Sequence, residues 1–232
     1  MEEIIETYRK LCLKQQTELR KKLLNEDHYD EAMKLFMTQH AMLHSARVAQ
    51  SGIWSLADYV FSDITEKRIR HIPRSSEHSI AWNIWHIARI EDVAMNMLVA
   101  GSPQILNQDQ WFERMKTNAR DTGNGMGEDG VADLSEKIDI EQLRDYRIAV
   151  GRRTRDIVKN LQPEELKNKV DPARLEQVME VGAVVEAARG LIDYWSKRNI
   201  AGLLLMPATR HNLVHLNESL RLKIRSNEIS DA

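Results

Sequence analysis

His211 and His215 stand at i and i+4 in the run Thr209-Arg-His-Asn-Leu-Val-His-Leu-Asn-Glu-Ser219. On a helix that spacing puts both imidazoles on one face. Two neutral rings so placed chelate a divalent ion, and a third ligand from another helix would complete an open site. Glu218 and Leu222 share the face, while Leu213, Leu216, Leu220 and Ile224 form an aliphatic stripe opposite it. Asn212 stands where a His-Glu-x-x-His metalloprotease has its glutamate, so this is not that motif. His40 and His44 make a second pair at the same spacing. For them packing at a surface or an interface is the expected role, with metal binding as the alternative.

A third imidazole, His86, belongs to a helical segment of about His78–Ala100. Placed on a wheel at about 100° per residue, Ile80, Ile84, Ile87, Ala94 and Leu98 gather on one side, and Trp82, Ile90, Val93 and Met97 extend that arc. Arg89, Asp92 and Asn96 mark the opposite side, which is expected to be solvated. His86 falls inside the apolar arc, as does Glu91 near its other margin. An ionisable group there needs a partner, and a lone imidazole on an apolar face is more often a hydrogen-bonded core residue than a ligand. Trp82 and Trp85 read first as core and second as pocket lining. Arg89 and Arg210 read first as solvated charges and second as contacts for an anionic substrate. His28, His71 and His78 lie near helix ends or in loops and are expected at the surface.

The elements that must position these residues are helices. Ten Gly and five Pro in 232 residues are few for a β-rich chain, and period-2 runs of Val, Ile and Thr are absent. Helices are expected over about Glu3–Leu24 (apolar through Ile4, Ile5, Tyr8, Leu11, Leu19 and Leu23) and Tyr29–Ile69, with Gly52 a point of interruption. The segment from His78 follows the capping candidates Ser75 and Ser76 and stops at Gly101-Ser-Pro103. Asp121–Gly130 holds four of the ten glycines but neither a Gly-Lys-Ser/Thr ending nor a preceding strand, so it reads as a flexible inter-helix loop. Further helices are expected over Ile140–Leu161, from Pro163, from Pro172 to about Leu205, and, after a break at Pro207, over Thr209–Arg225.

Thirty-three Lys plus Arg against 35 Asp plus Glu leave no basic face for nucleic acid and no polybasic membrane anchor. One cysteine, Cys12, excludes an internal disulfide framework and thiolate zinc fingers. Neither a secretory signal nor an apolar stretch of about 18 residues is found, so a cytoplasmic location is expected.

Three runs resemble a known family. Ser79-Ile-Ala-Trp-Asn-Ile-Trp-His-Ile-Ala-Arg-Ile-Glu-Asp92 is similar to the His-bearing second helix of DinB/YfiT-like four-helix bundles. His211-x-x-x-His215 matches the pair on their last helix, and Tyr146–Thr154 with Leu161-Gln-Pro-Glu-Glu-Leu166 looks like their third helix and following turn. The resemblance runs from about Tyr29 to Arg225, giving residues 1–28 as an N-terminal helical extension and 29–232 as the bundle domain. It implies an all-α, up-down-down-up four-helix bundle, commonly dimeric, in which His86, His211 and His215 bind a divalent metal, zinc or nickel being expected. Remaining coordination positions would then belong to water or substrate. Some relatives use low-molecular-weight thiols, which a metal would hold as thiolate. Glu218 or Glu91 would orient a ligand histidine or act as general base. The implied function is a metal-dependent thiol transferase acting on a small electrophile; the alternative is a non-catalytic helical metal-binding or stress-related interaction protein. A homodimer is expected because both faces of the last helix look buriable.

Overall fold

In a computed structural model, which describes residues 2–74 and 77–228, the chain forms thirteen α-helices among the described residues and no strand. They are α1 (Glu2–Lys22), α2 (Tyr29–Leu43), α3 (Ala46–Ala49), α4 (Leu56–Phe61), α5 (Glu66–Arg70), α6 (Ile80–Asp92), α7 (Trp111–Met115), α8 (Glu128–Lys137), α9 (Ile140–Asn160), α10 (Pro172–Glu180), α11 (Arg189–Ser196), α12 (Ile200–Leu205) and α13 (His211–Glu228). Two π-helical segments, Val93–Ala100 and Met206–Arg210, continue α6 and join α12 to α13. The all-α helical bundle expected from the sequence is the fold observed. No helix of the described residues is long and apolar enough to cross a membrane.

The expected long helix over Tyr29–Ile69 is four short ones. Ser45 and Ser55 turn their hydroxyls onto the Arg47 and Asp58 backbone N–H groups, and Gln50 takes a left-handed conformation between them. Such local side-chain bonds compete with the helical ladder and start new helices instead. The stretch from Pro172 is likewise divided, with Asp171 and Asn199 capping its first and last pieces. Pro207, expected as a break, lies within the π segment and the helix runs through it. The capping candidates Ser75 and Ser76 and the side chains of Ile4 and Ile5 lie outside the described residues; α6 is capped by Ser79, whose hydroxyl accepts from the Trp82 N–H at 2.9 Å.

Helix α6 is the centre of the bundle. It packs on α9 and α13, its π-helical continuation packs on α9, α10 and α12, and α2 lies against α1 and α13. Every residue from Ile80 to Asp92 is buried. The polar side read as solvated is therefore a correction: Arg89, Asp92 and Asn96 are 0% exposed. They are satisfied rather than hydrated. Arg89 donates to Asp92 at 3.1 Å, to the Tyr146 hydroxyl at 2.9 Å and to the Arg120 carbonyl. Asp92 accepts from Tyr146 Oη, Asn96 Nδ2 and the Ile105 and Leu106 N–H groups, all within 3.0 Å. Helix α13 packs on α6 and on α4 and α5, while Val214 and Arg221 on it are exposed.

The glycine-rich segment is packed at its start and largely exposed from Asn124 on, its last residues opening α8. Thr122 is fully buried, and its N–H donates to the Ala183 carbonyl at 2.9 Å. Gly123 has φ +83, and a Cβ there would lie 2.6 Å from Trp85 Cζ3. Gly123→Ala is expected to cost about 1–3 kcal/mol through overpacking and backbone strain. Chemical denaturation followed by tryptophan fluorescence measures it; an unchanged midpoint would mean the segment can lift off Trp85.

Candidate metal centre

Helix α6 presents His86 inward, and α13 presents His211 and His215 one turn apart against it. The ring centroids are 5.0 Å (His86–His211), 4.8 Å (His86–His215) and 4.6 Å (His211–His215) apart. One nitrogen from each ring lies within 4.8 Å of the others, a spacing that can hold a metal ion. The outward nitrogens are set by neighbours. His86 Nδ1 is 2.5 Å from the Thr122 carbonyl. A carbonyl only accepts, so Nδ1 carries the hydrogen and Nε2 keeps its lone pair. His215 Nδ1 is 3.1 Å from both Asn83 Oδ1 and Glu218 Oε2, which fixes the same tautomer. His211 Nδ1 is buried without a hydrogen-bond partner among the described residues.

Burial, helped by the neighbouring His215, pushes His86 down to about 3, and burial with His86 and His215 holds His211 well below the usual histidine range. Both are neutral donors at physiological pH. Glu218, at the margin, is held below its ordinary value first by its hydrogen bond to His215. Trp82 stacks on His86 with centroids 4.6 Å apart, and His78, expected at the surface, is half-buried and stacks on Trp82 at 3.7 Å. Trp85 is fully buried core. Arg210 is exposed.

Glu91 is hydrogen-bonded to none of these three imidazoles. Its carboxylate accepts from His40 Nε2 at 3.0 Å, His44 Nε2 at 2.9 Å and Asn212 Nδ2 at 2.8 Å. All four residues are 0% exposed. The surface or interface role expected for His40 and His44 is thus corrected: they form a buried polar cluster with Glu91, and the cluster also can hold a metal ion. One signal in the sequence pointed to it, and a second could have. Glu91 sits on an apolar arc and needs partners, and Gly151 lies in mid-helix, where a Cβ would come 2.6 Å from His44 Nδ1. The Thr122 carbonyl had no such signal, because a backbone acceptor brought in by a loop leaves no residue pattern.

Burial pushes His44 down to about 3 against the pull of Glu91, and burial lowers His40 as well. Burial alone would raise the Glu91 carboxyl, but His44 and His40 hold it well below the usual carboxylate range. For a depressed histidine the unfolded chain binds more protons than the fold between the two pKa values. Stability is therefore complete above about pH 6.5 and falls with acidity below it, at about 1.4 kcal/mol per pH unit for each such group. Melting temperature measured from pH 8 to pH 4.5 is expected to be flat above this point and to drop below it. A flat profile down to pH 5 would show these rings protonated in the fold.

Comparisons with known proteins agree with this architecture. The crystal structure of a conserved protein from Enterococcus faecalis superposes with a TM-score of 0.55 at 14% identity, covering 82% of this chain and 93% of that one, a likeness of fold. Among curated proteins none matches. The sequence profile of the DinB superfamily matches residues 51–217, a span holding His86 and both α13 histidines. The chain belongs to the DinB superfamily.

Proposed function

We propose that His86, His211 and His215 hold a divalent ion, zinc or nickel, and that the protein is a metal-dependent transferase joining a low-molecular-weight thiol to a small electrophile. The observation that carries the reading is the outward nitrogens of His86 and His215. Each is engaged by an acceptor, which leaves a lone pair on the other nitrogen, as ligating histidines require. Charge chooses between the two clusters. Glu91 lies in a fully buried group beside Arg147, whose guanidinium donates to Asn212 at 3.3 Å, so its charge is already countered. A dication added there would be an unbalanced buried charge. The His86 group is different: His215 is 17% exposed and Glu218 39% exposed, so water and an anion both reach it.

A bound metal would lower the pKa of a coordinated thiol and hold it as thiolate. The chain's own residues orient and enclose. Glu218 and Asn83 fix the His215 ring, Thr122 fixes His86, and Trp82 covers one face of His86. A cleft of about 730 Å³ lined by Arg74, His78, Met126 and Val131, among others, lies on the far side of the His78–Trp82 stack from His86 and has room for a small electrophile. The test is conjugation of a small thiol to a generic electrophile, with and without chelator. A rate that falls on chelation and returns with zinc or nickel supports the reading; equal rates would refute the transferase.

A further inference from the structure

We infer that Asn212 and Glu91 are positioning residues: the buried His40–His44–Glu91 cluster pins the π turn that aims His211 and His215 at His86. This rests on the metal site proposed above and concerns how that site is held.

The π segment Met206–Arg210 ends one residue before Asn212's neighbour, His211. A π turn carries one more residue than an α turn, so it rotates everything after it by about 100° around the helix axis. The face on which His211 and His215 emerge thus depends on this turn persisting. Pro207 cannot continue the α ladder because it lacks an N–H, and the carbonyls around it are taken by side chains. Thr209 Oγ1 donates to the Leu204 and Leu205 carbonyls, both at 3.0 Å, and Gln16 Nε2 donates to Leu205 at 2.6 Å. Asn212 Nδ2 reaches back to the Pro207 carbonyl at 3.2 Å.

The same Asn212 amide donates to Glu91 at 2.8 Å, and its oxygen accepts from Arg147. Glu91 is five residues beyond His86 on α6, so this rung ties the helix of the first ligand to the helix of the other two. Glu91 itself is held by two stacked imidazoles whose centroids are 4.0 Å apart, each donating to one carboxylate oxygen. Parallel rings that each address a separate oxygen suit a carboxylate clamp rather than convergence on one ion. Arg147 is anchored in turn on the Leu43 carbonyl at 3.0 Å. Everything in the rung is fully buried except Arg147, at 4%. It is a rigid brace.

Cobalt(II) is titrated into the metal-free full-length protein and into Asn212→Ala, Glu91→Gln and, as a control in a different buried network, Asp92→Asn. Loss of a direct outer partner of a ligand histidine weakens metal binding about 10–100-fold, and Asn212, which acts through the α13 backbone rather than on a ligand ring, is expected to cost about tenfold. Asn212→Ala is expected to show that loss together with a shifted cobalt absorption band and wild-type far-ultraviolet dichroism. Asp92→Asn is expected to lose stability with wild-type cobalt affinity and band. If Glu91→Gln does not fold, Asn212→Ala carries the result alone. Wild-type affinity and spectrum in Asn212→Ala would overturn the inference. So would a second equivalent of cobalt that disappears with His44→Gln, since the cluster would then be an ion site. If the wild-type protein binds no cobalt, the metal proposal fails, and the brace is judged from the ring ¹⁵N resonances of His211 and His215 in the metal-free protein. A change in Asn212→Ala sustains it; identical resonances overturn it.

Discussion

On the metal reading proposed above, replacing His215 by alanine is expected to remove bound zinc while leaving the fold standing. Among the described residues the three imidazoles are the donors grouped at this position, and losing one leaves a two-point chelate. The loss should exceed the about 10–100-fold that follows removal of an outer partner alone. The cost to stability is smaller. His215 is at a partly exposed margin, and its partner Glu218 can turn to water once the ring is gone. Asn83, fully buried, loses its bond to the ring and carries most of that cost. His44→Gln should show the reverse pattern. It sits in a closed cluster, so stability falls, yet zinc is retained at one equivalent per chain. Metal content measured on protein purified without an affinity tag decides both. Full zinc in His215→Ala would remove the triad as the site, and zinc lost only in His44→Gln would move it to the buried cluster.

The three histidines that converge were legible one by one from local rules, and the resemblance grouped them. An i,i+4 pair defines a face whatever the rest of the chain does, and His86 stood out as an imidazole on an apolar arc. The surroundings were less legible, for a physical reason. A helical wheel assigns polar residues to water, but α6 is enclosed on all sides, and Arg89, Asp92 and Asn96 are buried with partners from residues 104–106, from Arg120 and from Tyr146. Those partners are distant in sequence, and several are backbone groups without a residue signature. Pro207 misled in the same way. Read alone it ends a helix, yet Thr209, Gln16 and Asn212 supply the donors that let the helix pass through it as a π turn. Glu91 was correctly marked as needing a partner, but the partners that take it, His40 and His44, are a pair that the sequence placed at a surface or an interface.

Asp92→Ala is expected to be the most destabilising single change outside the candidate metal centre. The carboxylate accepts from Tyr146, Asn96, the N–H groups of Ile105 and Leu106, and Arg89, all of them in the interior. Removing it leaves the Arg89 guanidinium as a buried cation without its counterion, and two backbone N–H groups without acceptors. Breaking a buried pair from one side costs about 3–5 kcal/mol, and in a chain of this size each kcal/mol lowers the melting temperature by about 2–4 °C. A fall of roughly 6–20 °C follows from these two figures. Replacing both partners, with Arg89→Met and Asp92→Leu together, should cost less than Asp92→Ala alone, because no uncompensated charge is left behind. That order separates an electrostatic cause from lost packing, since the double variant disturbs more atoms. Thermal denaturation of the single and double variants checks it. A double variant less stable than Asp92→Ala would mean that the network's hydrogen bonds, not its charge balance, hold residues 104–106 against α6.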